Sequence, residues 1–266
     1  MGRMWWWLPG WLLAAQALAA CSRPIVVPAT SSGKLVSVSG QQLGGIYPDL
    51  LRESSVASGC VFRFEPVPWA RMMYMLETGT GDLFAPLSQT AERDRYAELV
   101  PMYYSTPVVI TLLQVPALTR AEELLNYPEL RVNVVRGHNW GPAYASLVER
   151  LRAAGMVEEV TDMPMLLKKM AAGRAHVAIM GSHLMDGAIQ TAGMRDTLAP
   201  RLRYQQVRDL DTNLAGVYLS KSLPEGDRVQ LRAMLQHWLK SGLFWLRLQR
   251  EMTAQGLSSL APLPQR

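Results

Sequence analysis

A chain of 266 residues with 49% hydrophobic and 18% charged side chains is an ordered globular protein, not a disordered one. That length holds one large domain or two modest lobes, each with its own core. The formal net charge of +5 includes no run of lysine or arginine, which argues against a nucleic-acid partner and suits anionic ligands or an anionic lipid face.

The first twenty residues read as an export leader. Arg3 is the charged start, Met4–Ala15 the apolar stretch, and Ala17-Leu18-Ala19 an A-x-A cleavage site. The apolar run is too short for a membrane span and is interrupted by Pro9 and Gln16, and no later stretch is long enough. Cys21 then admits two readings. Leu18-Ala19-Ala20-Cys21 resembles a bacterial lipoprotein box, in which the cysteine becomes an acylated N-terminus. Alternatively Cys21 pairs with Cys60, the other cysteine of the chain. Each precedes an apolar, β-rich run, Pro24–Pro28 and Val61–Val67; if these are neighbouring parallel strands, the two sulfurs lie at the same end of the sheet. Lipidation would leave Cys60 unpaired in an oxidising compartment.

Ile25–Val27 reads as a strand, followed by a Ser/Gly-rich stretch in which Val36 and Val38 alternate with Ser37 and Ser39 as in a short hairpin. Apolar residues at 46, 47, 50 and 51 mark a helix from Ile46 to Ser58 that Gly59 stops, and Phe62–Pro66 is a second strand. Pro68 opens the next helix, where its missing N–H costs nothing, with Trp69, Met72, Met73 and Leu76 on one face. Trp69 stands in the first turn, directly after a strand end, where open α/β sheets bind ligands. It is either core or an aromatic wall of a site; Arg71, two residues on, is a second candidate.

Gly81–Ser105 (GDLFAPLSQTAERDRYAELVPMYYS) reads as a strand at Asp82–Ala85, a polar turn, a helix start and a Pro-led second strand. Ser88, Thr90 and Arg93 leave a strand end beside a helix N-terminus, where free N–H groups and an arginine fork receive a carboxylate. The plain alternative is a capping hydroxyl and a solvated arginine. Leu76–Ser88 aligns without gaps on Met170–Ser182: both segments say helix, glycine stop, buried strand, serine. The match suggests two lobes of similar α/β plan.

Val108–Val115 is an apolar strand long enough to lead from one lobe to the other. A helix at Thr119–Asn126, strands at Val132–Val135, Val157–Val160 and His176–Met180, and helices through Tyr144–Leu151 and Met163–Ala172 follow, an alternation that argues for a parallel sheet. The turn Gly137–Gly141 between strand and helix is again anion-receptive and displays His138, Asn139 and Trp140. His138 has no Ser/Asp or Cys partner at a recognisable spacing, so no catalytic residue is assigned. His176 is expected on a strand face, and His183 and His237 on helix surfaces. No HxxxH or HExxH occurs, so no metal is expected, nor any cofactor. Leu214–Leu219 is a second crossing strand, Asp227–Ser241 and the segment of Trp245, Leu248 and Met252 are helices, and the Pro/Ser-rich tail after Gly256 is expected to be loose.

Ser88-x-Thr90-x-x-Arg93 followed by PMYYS, with GGIYPDLLRES upstream, resembles the first lobe of bacterial periplasmic solute-binding proteins of family 3, the polar amino-acid ABC importer type. CSRPIVVP…GCVF is similar to a branch of that family with a bridge between the two cysteines, Cys21 and Cys60. The resemblance implies a two-lobed α/β fold of type II with two crossing strands as hinge. The leader would be residues 1–20, the first lobe 21–110 plus 214–266, and the second 111–213. It implies that Ser88 and Arg93 grip a carboxylate, closed upon by the turn at His138–Trp140. The implied function is periplasmic capture, as a monomer, of a small polar amino acid or organic acid for a membrane ABC permease. One departure stands out. The family's α-amino-acid binders place an aspartate after the strand equivalent to His176–Met180, where this chain has Gly181-Ser182. Either Asp211 takes the ammonium or the ligand lacks one. The same fold also serves as a sensory module, or as a cyclohexadienyl-dehydratase-like enzyme whose acid could only be Glu65, Asp209 or Asp211.

Overall fold

The computed structural model describes residues 20–264, so the leader expected over residues 1–20 lies, but for Ala20, outside the described residues. The chain begins with β1 (Ile25–Ala29), the hairpin β2 (Ser37–Ser39) and β3 (Gln42–Gly44), α1 (Ile46–Ser58), β4 (Phe62–Pro66) and α2 (Trp69–Thr78). Next come β5 (Leu83–Ser88), the single-turn α3 (Arg93–Tyr96), β6 (Ala97–Ser105) and β7 (Val108–Leu112). The middle of the chain is β8 (Val132–Val135), α4 (Pro142–Ala153), β9 (Val157–Val160), α5 (Met163–Ala171), β10 (Val177–Met180), α6 (Ser182–Thr191) and β11 (Leu202–Gln205). It closes with β12 (Asn213–Ser220), α7 (Glu225–Lys240), α8 (Leu243–Glu251), α9 (Ala254–Leu257) and β13 (Leu260–Pro262).

These elements form two lobes, each with its own sheet and core. In the first, β1 pairs in parallel with β4, and a four-stranded antiparallel sheet runs β13-β6-β12-β5. Asp82 sews the two together: its N–H donates to the Val26 carbonyl (2.9 Å) and its carboxylate accepts from the Val26 N–H (2.8 Å) and from both terminal nitrogens of Arg23 (2.6 and 2.7 Å). The second lobe has a five-stranded sheet in the order β11-β7-β10-β8-β9. Its three middle-chain strands are parallel, as alternation with helices requires, and β11 shares their direction, whereas β7 runs antiparallel to both its neighbours, β10 and β11. β7 enters from the other lobe with no helical crossover to turn it round. One core gathers side chains from Val108 to Leu210, and another gathers Ile25 to Tyr103 with Ala215 to Met252.

The chain passes between the lobes twice. β6 runs into β7 through Thr106 and Pro107, where the missing proline N–H interrupts the ladder. β11 returns to β12 through residues 206–212, and the Thr106 and Thr212 hydroxyls meet at 2.7 Å. The expected strand Val108–Val115 therefore starts at the crossing and ends at Leu112, inside the second sheet.

Helix boundaries follow local chemistry. α1 starts at Gly45, ends at left-handed Gly59 (φ 66°) and buries Ile46, Tyr47, Leu50 and Leu51. α2 buries Met72, Met75 and Leu76, so Met75 takes the core place expected of Met73. The helix expected at Thr119–Asn126 is a 3-10 segment over Ala121–Asn126, its first N–H groups held by Asp209. The tail corrects the expectation of looseness. Thr253 caps α9, β13 pairs with β6, and Ser259 is buried. Ser259 Oγ accepts from the Ser182 N–H (2.9 Å) and Ser182 Oγ donates to the Gly256 carbonyl (2.9 Å), so polar composition here serves to satisfy the free N-terminus of α6.

Cys21 and Cys60 form a disulfide, their Cα atoms 4.7 Å apart, beside the paired starts of β1 and β4. The bond uses the sulfur that lipidation of Cys21 would need. By the chain-entropy model, a loop spanning 39 residues contributes about 3–4 kcal/mol. The Cys21→Ser/Cys60→Ser double variant should lose about that much unfolding free energy in urea titration. A loss under about 1 kcal/mol would show that the bond contributes little beyond what the β1–β4 pairing already holds.

Candidate functional site

A cavity of about 70 Å³ lies between the lobes. The first lobe contributes Trp69 from the start of α2, Ser88 from the end of β5, Arg93, Tyr103 and Ser105 from β6, and the loop Ser31–Gly33. The second lobe contributes His138, Asn139 and Trp140 from the turn before α4, and His183 and Leu184 from α6.

Among the described residues Arg93 is the only lysine or arginine of this lining, and it is half-buried. Its Nη1 donates to the Ser88 carbonyl (2.6 Å), its guanidinium lies 5.7 Å from the Trp69 ring centre, and among the described residues no carboxylate comes within ion-pair distance. Burial pulls its pKa down, opposed by Tyr218 and Glu92; a guanidinium remains charged regardless. Thr90 fulfils the simpler of its two expected roles: its hydroxyl accepts from the Arg93 N–H (3.2 Å), a cap outside the cavity. With α3 only four residues long, any attraction for an anion comes from the Arg93 charge and not from a helix dipole.

Across the cleft, the turn after β8 is built for close approach. Gly137 has φ 78°, and a Cβ there would stand 2.7 Å from Trp69 Nε1, so only glycine lets this backbone meet the indole. His138 then sits with its ring 5.3 Å from Trp69 and 6.1 Å from Trp140. Asn139 Oδ1 accepts from the Gly141 N–H (3.0 Å), and Asn213 from β12 donates to the Trp140 carbonyl (2.8 Å). On the other rim a Cβ on Gly187 of α6 would fall 2.5 Å from the Gly33 Cα, so the lobes touch backbone to backbone.

Two buried polar atoms of the lining, Ser105 Oγ and His138 Nδ1, have no hydrogen-bond partner. Buried polar atoms are normally paired, so an unpaired pair facing one cavity beside an unpaired cation marks a place for a polar solute.

Two expected site residues lie elsewhere. Arg71 is exposed and stacks on Tyr74, 5.2 Å from its ring centre. Asp211 lies outside the lining: its Oδ2 accepts from the Ala143 N–H (2.8 Å), which satisfies the first turn of α4. His183 corrects the surface assignment. It is 4% exposed, edge-on to Tyr103 at 6.4 Å, with Nδ1 3.4 Å from Ser259 Oγ. Ser105, Tyr103 and His183 were not singled out from sequence, although both Ser105 and His183 follow or end a strand, the signal that points to Trp69 and Ser88.

Residues 34–241 match the family model of bacterial extracellular solute-binding proteins, family 3. The chain belongs to that family. Comparison with curated proteins found no match. Among solved structures, this solute-binding protein is similar to a histidine kinase sensor domain with similarity to periplasmic binding proteins (TM-score 0.70, 16% identity, 91% of this chain and 98% of that one). It is also similar to the arginine-, lysine-, histidine-binding protein ArtJ from Geobacillus stearothermophilus (TM-score 0.68, 14% identity, 86% and 95%). A putative L-cystine ABC transporter from Listeria monocytogenes gives 0.69 at 14% identity, over 92% and 100%. At these identities the likeness is one of fold, two-lobed and α/β.

The acids that could make this fold an enzyme are placed away from the cavity. Glu65 pairs with Arg63 (2.9 Å), Asp209 holds Ala121 and Glu122 N–H groups, and Asp211 holds Ala143.

Both cavity histidines are held neutral at pH 7. Burial lowers His138 to about 4, helped by the Arg93 charge, and burial lowers His183 to about 4. In the unfolded chain both titrate near 6.5, so between these values the unfolded state binds more protons. Their contribution to stability is thus complete above pH ~6.5 and lost as pH falls towards ~4, on the order of 3 kcal/mol for each. Urea midpoints followed from pH 7 to 4.5 should fall less steeply for the His138→Asn/His183→Asn double variant than for the wild type. Equal slopes would mean that neither imidazole is held neutral by the fold.

Proposed function

We propose that this solute-binding protein captures a small carboxylate-bearing solute between its lobes and delivers it, in the periplasm and as a monomer, to a membrane ABC permease. The observation that carries the reading is Arg93: a shielded guanidinium with one backbone acceptor, facing a cavity in which two further polar atoms, Ser105 Oγ and His138 Nδ1, lack partners. A carboxylate supplies acceptors for the remaining guanidinium donors in the bidentate geometry that arginine favours. Trp69 and Trp140 are its aromatic walls. The second lobe, residues 111–213 in this reading, swings on the crossings near Thr106 and Thr212 against a first lobe of 21–110 and 214–266. Its contacts with the solute exist only when the cleft is closed, so binding shifts the population towards closure. The likeness to a histidine kinase sensor domain favours a second receiver for the same capture step, a signalling partner in place of a permease.

A thermal-shift screen of short carboxylic acids and amino acids tests the reading, since a solute at 100 times its Kd stabilises the native state by about 2.7 kcal/mol. With a carboxylate that scores, calorimetric titration of Arg93→Ala should show a loss of about 2 kcal/mol or more, that is roughly 30-fold. Arg93→Lys should recover little of it, because an ammonium cannot form the fork. Wild-type affinity in Arg93→Ala would return Arg93 to the rank of a surface charge.

The same solute should change intrinsic tryptophan fluorescence, and the Trp69→Phe/Trp140→Phe variant should lose most of that change. A full-sized change in the double variant would take both indoles out of the site.

A further inference from the structure

Among the described residues, the cavity lining holds one permanent charge, Arg93, and no carboxylate. Glu77 and Glu92 line a neighbouring groove that shares Trp69, Arg93 and Asn139 with this cavity, and Glu92 lies 3.9 Å from Arg95. Other acidic side chains around the cavity are committed elsewhere. Asp211 accepts from Ala143, Asp94 from the Tyr218 hydroxyl (2.7 Å) and Gln89 (3.1 Å), and Asp186, one turn along α6 from His183, from Gln190 (2.7 Å) and Thr253 (2.8 Å). The wall beyond β10 is closed by an imidazole: a Cβ on Gly181 would lie 2.3 Å from His183 Cε1, so that ring fills the space a side chain at 181 would need. The remaining groups, Ser31, Ser32, Ser88, Ser105, Asn139 and the two histidines, are uncharged at neutral pH.

We infer that the solute carries no ammonium group: the site takes small monoanionic acids bearing a hydroxyl, a carbonyl or nothing beside the carboxylate, and rejects the corresponding zwitterionic amino acids. This rests on the carboxylate reading above and adds the class of solute to it. An ammonium entering this cavity would give up its hydration without a counter-charge and would share a small volume with the Arg93 guanidinium, both unfavourable. A hydroxyl or carbonyl asks only for the hydrogen-bonding capacity that Ser105 Oγ and His138 Nδ1 leave unused. The volume of about 70 Å³ corresponds to roughly five to seven water-sized groups, which suits an acid of about six heavy atoms.

The test is calorimetric titration of the wild-type protein at pH 7.5 with probes matched in skeleton: L-lactate, pyruvate and L-alanine, then 2-oxobutyrate and L-2-aminobutyrate. At least one hydroxy or oxo acid should bind tenfold or more tightly than its amino counterpart. A ratio under tenfold overturns the inference and leaves the carboxylate reading standing, whereas no binding by any of the five overturns both. Two variants then place an acid in each lobe's part of the lining: His183→Asp, and Ser31→Asp, whose exposed side chain tolerates the change. At least one should narrow the ratio tenfold. An unchanged ratio in both folded variants would show that the missing carboxylate is not what excludes the ammonium.

Discussion

A guanidinium shielded from water needs several acceptors, and Arg93 has one, the carbonyl of Ser88. The surrounding structure holds it in that unsatisfied state. Ser88 ends β5, which is paired along its length to β12. From β12, the Tyr218 hydroxyl accepts from the Thr90 N–H (3.3 Å) and donates to Asp94 (2.7 Å), so the turn carrying Arg93 is tied at both ends. Lys221, just past β12, adds bonds to the Asp94 and Arg95 carbonyls (2.6 and 3.2 Å). The backbone that carries the arginine is therefore fixed to the sheet edge. Preorganisation of this kind lowers the cost of ordering the site when a solute arrives.

The second lobe meets this ledge at two glycine contacts on opposite rims, Gly137 on Trp69 and Gly187 on Gly33. Neither contact contains a charged pair among the described residues. The C-terminal segment adds a third tie. It leaves α8 of the first lobe, lays Thr253, Gly256 and Ser259 against α6 of the second, and returns to the first-lobe sheet as β13. Those three hydrogen-bonded points lie close to the Ser105–Thr106 crossing, since the Thr106 N–H donates to the Ser259 carbonyl (2.9 Å).

Regular elements were legible wherever local chemistry decided them. Gly59 and Gly79 stop helices because both need left-handed backbone, and strands such as Val132–Val135 and Val177–Met180 stand out as short, mainly apolar runs between turns. The arrangement of strands was less legible. Alternation with helices announced the parallel core of the second sheet but not the antiparallel β7, whose direction is set by the lobe crossing. The tail failed for a related reason: serines read as solvent-loving until Ser182 and Ser259, 77 residues apart, are seen to satisfy each other. In the cavity, Trp69, Ser88, Arg93 and the His138–Trp140 turn were visible from their places after strand ends. Arg71 was not separable from Trp69 in sequence, because which way a first helical turn faces depends on packing that the helix itself does not encode.

His183 shows how one burial event reshapes the electrostatics of the cleft. As a helix-surface histidine it would titrate near neutrality and carry part of a charge. Folded over Gly181 and edge-on to Tyr103, it cannot be hydrated, and protonation there becomes unfavourable. His138 is held neutral for a second reason as well, the Arg93 charge beside it. The cleft thus concentrates its positive charge on a single group, when three were available. A site with three cations would bind anions broadly and hold them through long-range attraction. With one, the proposed recognition of an acid rests on matching the guanidinium fork and the neutral donors and acceptors around it, and the choice among anions passes from charge to shape and hydrogen-bond pattern.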